Sequence, residues 1–294
     1  MFERFYPGMS WAEHQSLWPH AQHSRFVQAG GIQWHVQMLG HGPCMLLLHG
    51  TGSGSFSWRD LLPSLAQHFT VVAPDLPGHV FSSRGPAGAL SLPGMAEGLR
   101  ALMRQLNLTP QAIVGHSAGA AIAAHMALHF DSAARSTLIG LNPAWLPLPG
   151  VASWLFGPAA KLAALNPLSA WATAKLAAKP GAVAEWIART GSTLDARGLE
   201  LYTRVLSDSG HVHGVLSMMA AWQLKPLAAR LHEVRQPVFM LIGAQDQTVP
   251  PGLADAACAS LPQARQHIQP GLGHLAHEED PAGSAQLILH ACGI

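Results

Sequence analysis

Five residues, Gly115-His116-Ser117-Ala118-Gly119, restrict this chain to few folds. Ala112-Ile113-Val114 in front of them is a short apolar run, and the stretch from Ala118 to Ala124 behind them is almost entirely small residues. That order reads as a buried strand, a sharp turn and a helix. A serine between two glycines at such a turn holds its hydroxyl above the sheet. The glycines are needed because a side chain would clash where strand and helix pass closely. The helix start then sets unpaired N–H groups and a positive dipole end beside the hydroxyl. Five loosely specified positions also recur by chance, so their weight depends on what else stands in order along the chain.

The other parts are present, and in order. Met45-Leu46-Leu47-Leu48 runs into His49-Gly50-Thr51-Gly52, a glycine-rich turn able to offer a backbone N–H. The apolar run Val238 to Gly243 ends at Ala244-Gln245-Asp246, and a short strand, Gln266 to Gln269, precedes Gly271-Leu272-Gly273-His274. A nucleophilic serine needs a base, and the base needs an acid, in the chain order Ser, Asp, His. We therefore assign Ser117 as nucleophile, His274 as base and Asp246 as acid, with the backbone N–H groups of Thr51 and Ala118 as the oxyanion hole. With 18 histidines in the chain, most must be structural or exposed, and His277 is the alternative base. Asn142 follows the preceding strand, the other place from which such an acid can come, but an amide cannot supply the charge. His211-Val212-His213 offers two histidines without further ligands, too few for a metal site. No nucleotide loop is present, so no cofactor is expected.

Strands alternate with helices on both sides of the serine. Phe26-Val27 and Ile32 to Met38, split by Gly30-Gly31, read as a hairpin. Met45 to Leu48 and Val71 to Ala73 are continuous apolar runs, as in parallel strands buried on both faces. Trp58, Leu61, Leu62, Leu65 and Ala66 recur at helical spacing, and a helix is expected over Leu92 to Leu106. The fold class is α/β, a mostly parallel sheet flanked by helices. Alternation stops at Asn142-Pro143 and resumes near Val238, which divides the chain into 1–143, a helical cap over 144–234, and 235–294, with an N-terminal arm up to about residue 24. Residues 137–160 carry no charge, but Pro143, Pro147, Pro149 and Pro158 exclude a membrane-spanning helix. The cap holds Trp145, Trp154, Trp171, Trp186 and Trp222. They either fill its own core or line a pocket for a large apolar ligand; Trp145, Trp154 and Asn142 are the expected pocket residues.

Composition narrows the function classes. Only 11% of residues are charged and the formal net charge is +1, so nothing is available to neutralise a nucleic-acid backbone. Cys44, Cys258 and Cys292 cannot all pair, which fits free thiols in a reducing compartment. The first residues lack the pattern of a signal peptide. A cytoplasmic location is expected, with contact at a membrane surface as the lesser alternative.

With these residues in place, the sequence resembles the α/β-hydrolase fold superfamily, from about Ser24 to the C-terminus. Within it the sequence looks most like the magnesium-chelatase accessory proteins of bacteriochlorophyll biosynthesis (the BchO type). The stretches that carry the likeness are Ser24 to Val27, Gly31 to Gln37, His49 to Gly52, Ser91 to Ala96, His116 to Ala121 and Leu141 to Ala144. The resemblance implies a role beside magnesium insertion into protoporphyrin, contact with magnesium chelatase, and a bulky apolar, tetrapyrrole-related substrate with an ester-like bond. A non-catalytic porphyrin carrier is the alternative, and so is a general esterase or C–C bond hydrolase. Val80, after Asp75-Leu76-Pro77-Gly78-His79, stands where the superfamily often has glycine, so a strained backbone is expected there.

Overall fold

The computed structural model describes residues 8–147, 166–261 and 263–294. Trp154 lies outside them. One sheet of eight strands organises the fold, in the order β1-β2-β4-β3-β5-β6-β7-β8. The strands are β1 (Ser24–Ala29), β2 (Ile32–Leu39), β3 (Cys44–Leu48), β4 (Thr70–Pro74), β5 (Pro110–His116), β6 (Thr137–Leu141), β7 (Val238–Gly243) and β8 (Ala264–Gln269). From β4 to β8 all pairs are parallel, while β2 runs antiparallel to both β1 and β4. The β1–β2 turn is made by Gly30 at φ 59° and Gly31 at φ 74°, the two left-handed positions that a tight hairpin requires.

Burial follows strand position. Every residue of β3 is buried and β5 exposes only Gln111, whereas β8 at the edge buries only Gln269. Side chains alternate across the sheet, as strand geometry demands. Leu46 and Leu48 join one core with Val72, Ile113, Leu99, Leu102 and Ile122; Met45 and Leu47 join the opposite one with Val71, Val114, Leu62, Leu65 and Ile288. The first core is closed by helices α3 (Leu92–Gln105) and α4 (Ala118–His129). Ser91 caps α3 by accepting the Gly94 N–H at 3.2 Å, where a cap contributes about 1 kcal/mol.

The helix expected over Trp58 to Ala66 is broken. A 3-10 turn covers Ser55–Trp58, and a single α-turn, α2, covers Leu62–Leu65 after the short N-terminal α1 (Trp11–His14). Pro63 explains it, since it has no N–H to continue a helix and is tolerated only in a first turn. The N-terminal arm packs on the body through Trp18, whose ring meets Phe81 at 4.7 Å and Phe56 at 5.5 Å.

Between β6 and β7 lie α5 (Pro167–Ala177), α6 (Ala182–Ala188), α7 (Ala196–Leu206), α8 (Ser209–Ala221) and α9 (Lys225–Ala228). Asp195 and Asp208 cap α7 and α8 through the N–H groups of Gly198 and His211, both at 2.7 Å. The tryptophans of this stretch are used differently from one another. Trp145 and Trp222 are buried in the main core, Trp186 packs partly buried against a third cluster, and Trp171 is exposed.

Candidate active site

Ser117 sits between β5 and α4 with φ 51° and ψ −114°, a backbone state that costs on the order of 1–3 kcal/mol for a non-glycine residue. Its neighbours hold it there. A Cβ on Gly119 would lie 2.0 Å from the Leu48 carbonyl oxygen, and one on Gly115 would lie 2.4 Å from the Ala120 nitrogen. Only glycine permits that approach, which is the physical content of the motif. Ala118 opens α4, so its N–H has no acceptor within the helix. The Gly50-Thr51 turn after β3 lies alongside, since a Cβ on Gly50 would come within 3.3 Å of the Ser117 Cβ.

The candidate acid and base follow the last two strands. Asp246 follows β7 and His274 follows β8. The His274 Nδ1–H donates to Asp246 Oδ2 at 2.7 Å, with Asp246 fully enclosed and His274 8% exposed. This bond leaves Nε2 as the ring's basic nitrogen. The N–H groups of Thr248 and Val249 donate to Asp246 Oδ1 at 2.7 and 2.8 Å. The Asn142 amide donates to Asp246 Oδ2 at 2.6 Å. Asn142 is 1% exposed, so the residue expected to line a pocket instead braces the acid from behind. Trp145, expected beside the pocket as well, is 2% exposed and donates its indole N–H to the Ala120 carbonyl at 2.8 Å. It anchors the elbow helix.

Buried histidines surround these groups, and burial holds them neutral. His116 donates Nε2–H to the His274 carbonyl at 2.9 Å, fixing the loop that carries the base. Burial first, then the nearby His277 and His274, drive its pKa well below the ordinary imidazole range. The His277 ring lies tilted between Trp58 at 4.8 Å and His116 at 4.5 Å, and burial drives its pKa down to about 3. His49 donates Nδ1–H to the Gly50 carbonyl and accepts the Leu76 N–H, both at 2.8 Å. It ties the turn of Thr51 to the loop after β4.

From the helical insertion, His211 of α8 accepts the Val80 N–H at 3.0 Å and donates to the Gly52 carbonyl at 3.3 Å. Val80 has φ 47°, the strained state its position suggested. It is also buried against Phe56, Phe81 and Leu275, so the side chain contributes packing that glycine would lose. Tyr202 of α7 links Ser53 at 3.0 Å to Glu278 at 2.8 Å. Arg59 joins Glu278 at 2.9 Å to Asp195 at 3.0 Å. Burial pushes the Glu278 carboxyl up to about 7 against the pull of Arg59. None of these bridges is encoded by a local pattern in the sequence.

A second Ser–His–Asp chain lies near the sheet edge. Ser24 Oγ meets His35 Nε2 at 2.9 Å, and His35 Nδ1 meets Asp75 Oδ2 at 2.8 Å. Asp75 also accepts the Ser55 N–H at 2.7 Å. Ser24 is a strand residue paired with Gln37, with φ −78° rather than the left-handed state of Ser117. It braces β1, β2 and β4.

Comparison with known proteins identifies the fold. The family model for the alpha/beta hydrolase fold matches residues 43–281. The magnesium-chelatase 30 kDa subunit of Rhodobacter capsulatus is 36% identical over 92% of this chain and 95% of its own length. Among solved structures, an alpha/beta hydrolase fold protein from Burkholderia ambifaria superposes with a TM-score of 0.75 at 22% identity, over 90% of this chain and 97% of that one. An esterase from Exiguobacterium antarcticum gives 0.75 at 17% identity, over 92% and 99%. The chain belongs to the α/β-hydrolase fold family, and the magnesium-chelatase 30 kDa subunit is among its similar relatives.

Proposed function

We propose that this protein is a serine hydrolase-type accessory factor of magnesium insertion into protoporphyrin, acting on an ester-like bond of a bulky apolar molecule. The Asp246–His274 hydrogen bond carries the catalytic part of this reading, because it directs a basic Nε2 away from the acid. Ser117 Oγ attacks the acyl carbon while its proton passes to His274 Nε2, and Asp246 steadies the imidazolium. The Thr51 and Ala118 N–H groups take the developing oxyanion, each donor worth about 3–4 kcal/mol. The imidazolium then protonates the leaving alkoxide. Water, deprotonated by the same nitrogen, releases the acid and restores Ser117. The link to magnesium chelatase rests on the Rhodobacter capsulatus relative, and contact with that enzyme belongs to the same proposal.

A fluorophosphonate probe tests the chemistry. Ser117 is expected to be labelled in the wild type, and His274→Ala to slow labelling by about 10²–10⁴-fold. A wild-type protein left unmodified at Ser117 would refute the catalytic reading. Complementation with Ser117→Ala in a strain lacking the gene tests the pigment role, since restored synthesis would show that the role does not need the nucleophile.

A further inference from the structure

Helix α5 has apolar residues on two opposite sides, yet only one side is covered. Ala170, Ala174 and Ala177 are buried, the first two against Val212 of α8. Leu168 is 67% exposed, Trp171 54% and Leu176 48%. At about 100° per residue, Leu168, Trp171, Ala172, Lys175 and Leu176 share the face opposite the buried alanines, and Lys179 follows two residues beyond the helix end. Lys175 and Lys179 are exposed, and no Asp or Glu occurs between Asn166 and Ala184. Glu185, the nearest acid in sequence, is paired with Arg189. One short helix and the two residues after it thus carry three of the seven large exposed apolar side chains among the described residues, together with two cations and no acid.

We infer that the outward face of α5 docks this protein on an anionic lipid bilayer. A buried apolar partner would match the leucines but leave the lysine heads without counter-charge. A bilayer surface matches both, because indole and leucine side chains enter the acyl boundary while lysine stems reach back to the headgroup phosphates. Tryptophan is the residue most at home at that depth. The helix lies on α8, which meets the candidate site from above through Met218 and His211, with Met218 Sδ 3.9 Å from Thr51 Oγ1. Docking would therefore bring the lid of the site to the membrane, on the route by which a water-insoluble substrate arrives. The inference stands on the face itself and does not require that Ser117 be catalytic.

Co-sedimentation of the full chain with vesicles tests it, using phosphatidylcholine alone and phosphatidylcholine with about 30 mol % phosphatidylglycerol. The wild type is expected to pellet with the anionic vesicles and to be released by salt near 0.5 M. Leu168→Ser/Trp171→Ser should abolish binding. Lys175→Gln/Lys179→Gln, which leaves the apolar face intact, should weaken it about thirtyfold on anionic vesicles alone. Equal thermal melting of all three proteins shows that the variants are folded. Wild type that does not pellet, or variants that bind as wild type does, would overturn the inference. So would a concentration-dependent dimer dissolved by the Leu168/Trp171 pair, since the occupant would then be a second copy of the chain.

Discussion

His277→Phe separates the energetics of burial from those of charge. Neither ring nitrogen of His277 has a hydrogen-bond partner, and the ring packs at a tilt between Trp58 and His116. A phenyl ring keeps both ring contacts and orphans no hydrogen-bond partner, so stability at pH 7 should hold or rise. Acid tells a different story. The unfolded chain protonates this imidazole below pH 6.5, while the folded chain holds it neutral down to about 3. The unfolded state therefore gains protons first, and stability is lost as pH falls. Between pH 7 and 5 the loss is about 2 kcal/mol for one such histidine.

His211, with a pKa lowered to about 4 by burial, adds a similar amount. Glu278 runs the other way: its carboxyl is raised to about 7, so acid stabilises the fold by about 2 kcal/mol over the same interval. His79 and His116, both held well below the ordinary range chiefly by burial, add to the acid loss. Against a total stability of about 5–15 kcal/mol, the wild type should be markedly weaker at pH 5. Urea unfolding followed by far-UV circular dichroism at pH 7 and pH 5 reads the difference directly. His277→Phe should reduce the acid loss by about 2 kcal/mol. An identical loss in both proteins would refute the reasoning, because His277 would then be protonated to the same extent folded and unfolded.

Two further substitutions address the site. Gly119→Ala places a Cβ against the Leu48 carbonyl at 2.0 Å; it should cost about 3 kcal/mol or more and lose fluorophosphonate labelling, and a normal melting temperature would count against the elbow packing. Asn142→Asp sets a second carboxylate where the amide now donates to Asp246 at 2.6 Å. The added charge favours the imidazolium, so the pH midpoint for labelling of Ser117 should rise by about one unit; an unchanged midpoint would mean that Asn142 is electrically remote from the base.

The strands were readable from the sequence because central parallel strands are short and wholly apolar, so Met45 to Leu48 and Val238 to Gly243 announce themselves. Asp246 lies in the loop after such a strand and His274 in the loop after the exposed edge strand β8, and chain order pointed to both as the candidate acid and base. What sequence did not convey were contacts that depend on three-dimensional approach. Asn142 is 104 positions from the carboxylate it holds, and Arg59 is 219 from Glu278. No local period encodes either. Trp145 was misread for a related reason, since an indole in a charge-free stretch looks the same whether it faces a ligand or the underside of a helix. Pro63 is a local signal that the apolar spacing of Trp58 to Ala66 hides, and it confines the helix there to one turn.

The brace of Ser24, His35 and Asp75 turns the molecule into its own control. Its two contacts, 2.9 and 2.8 Å, hand a serine the same hydrogen-bonded relay that enzymologists associate with nucleophilic power. What it lacks is everything supplied by the main chain: the left-handed serine, the helix start, the glycine turn opposite. A single reagent offered to both serines in one tube, under one pH and one solvent, compares a serine held in a backbone frame with a serine that has a relay and no frame. The ratio of the two rates measures how far the frame governs reactivity.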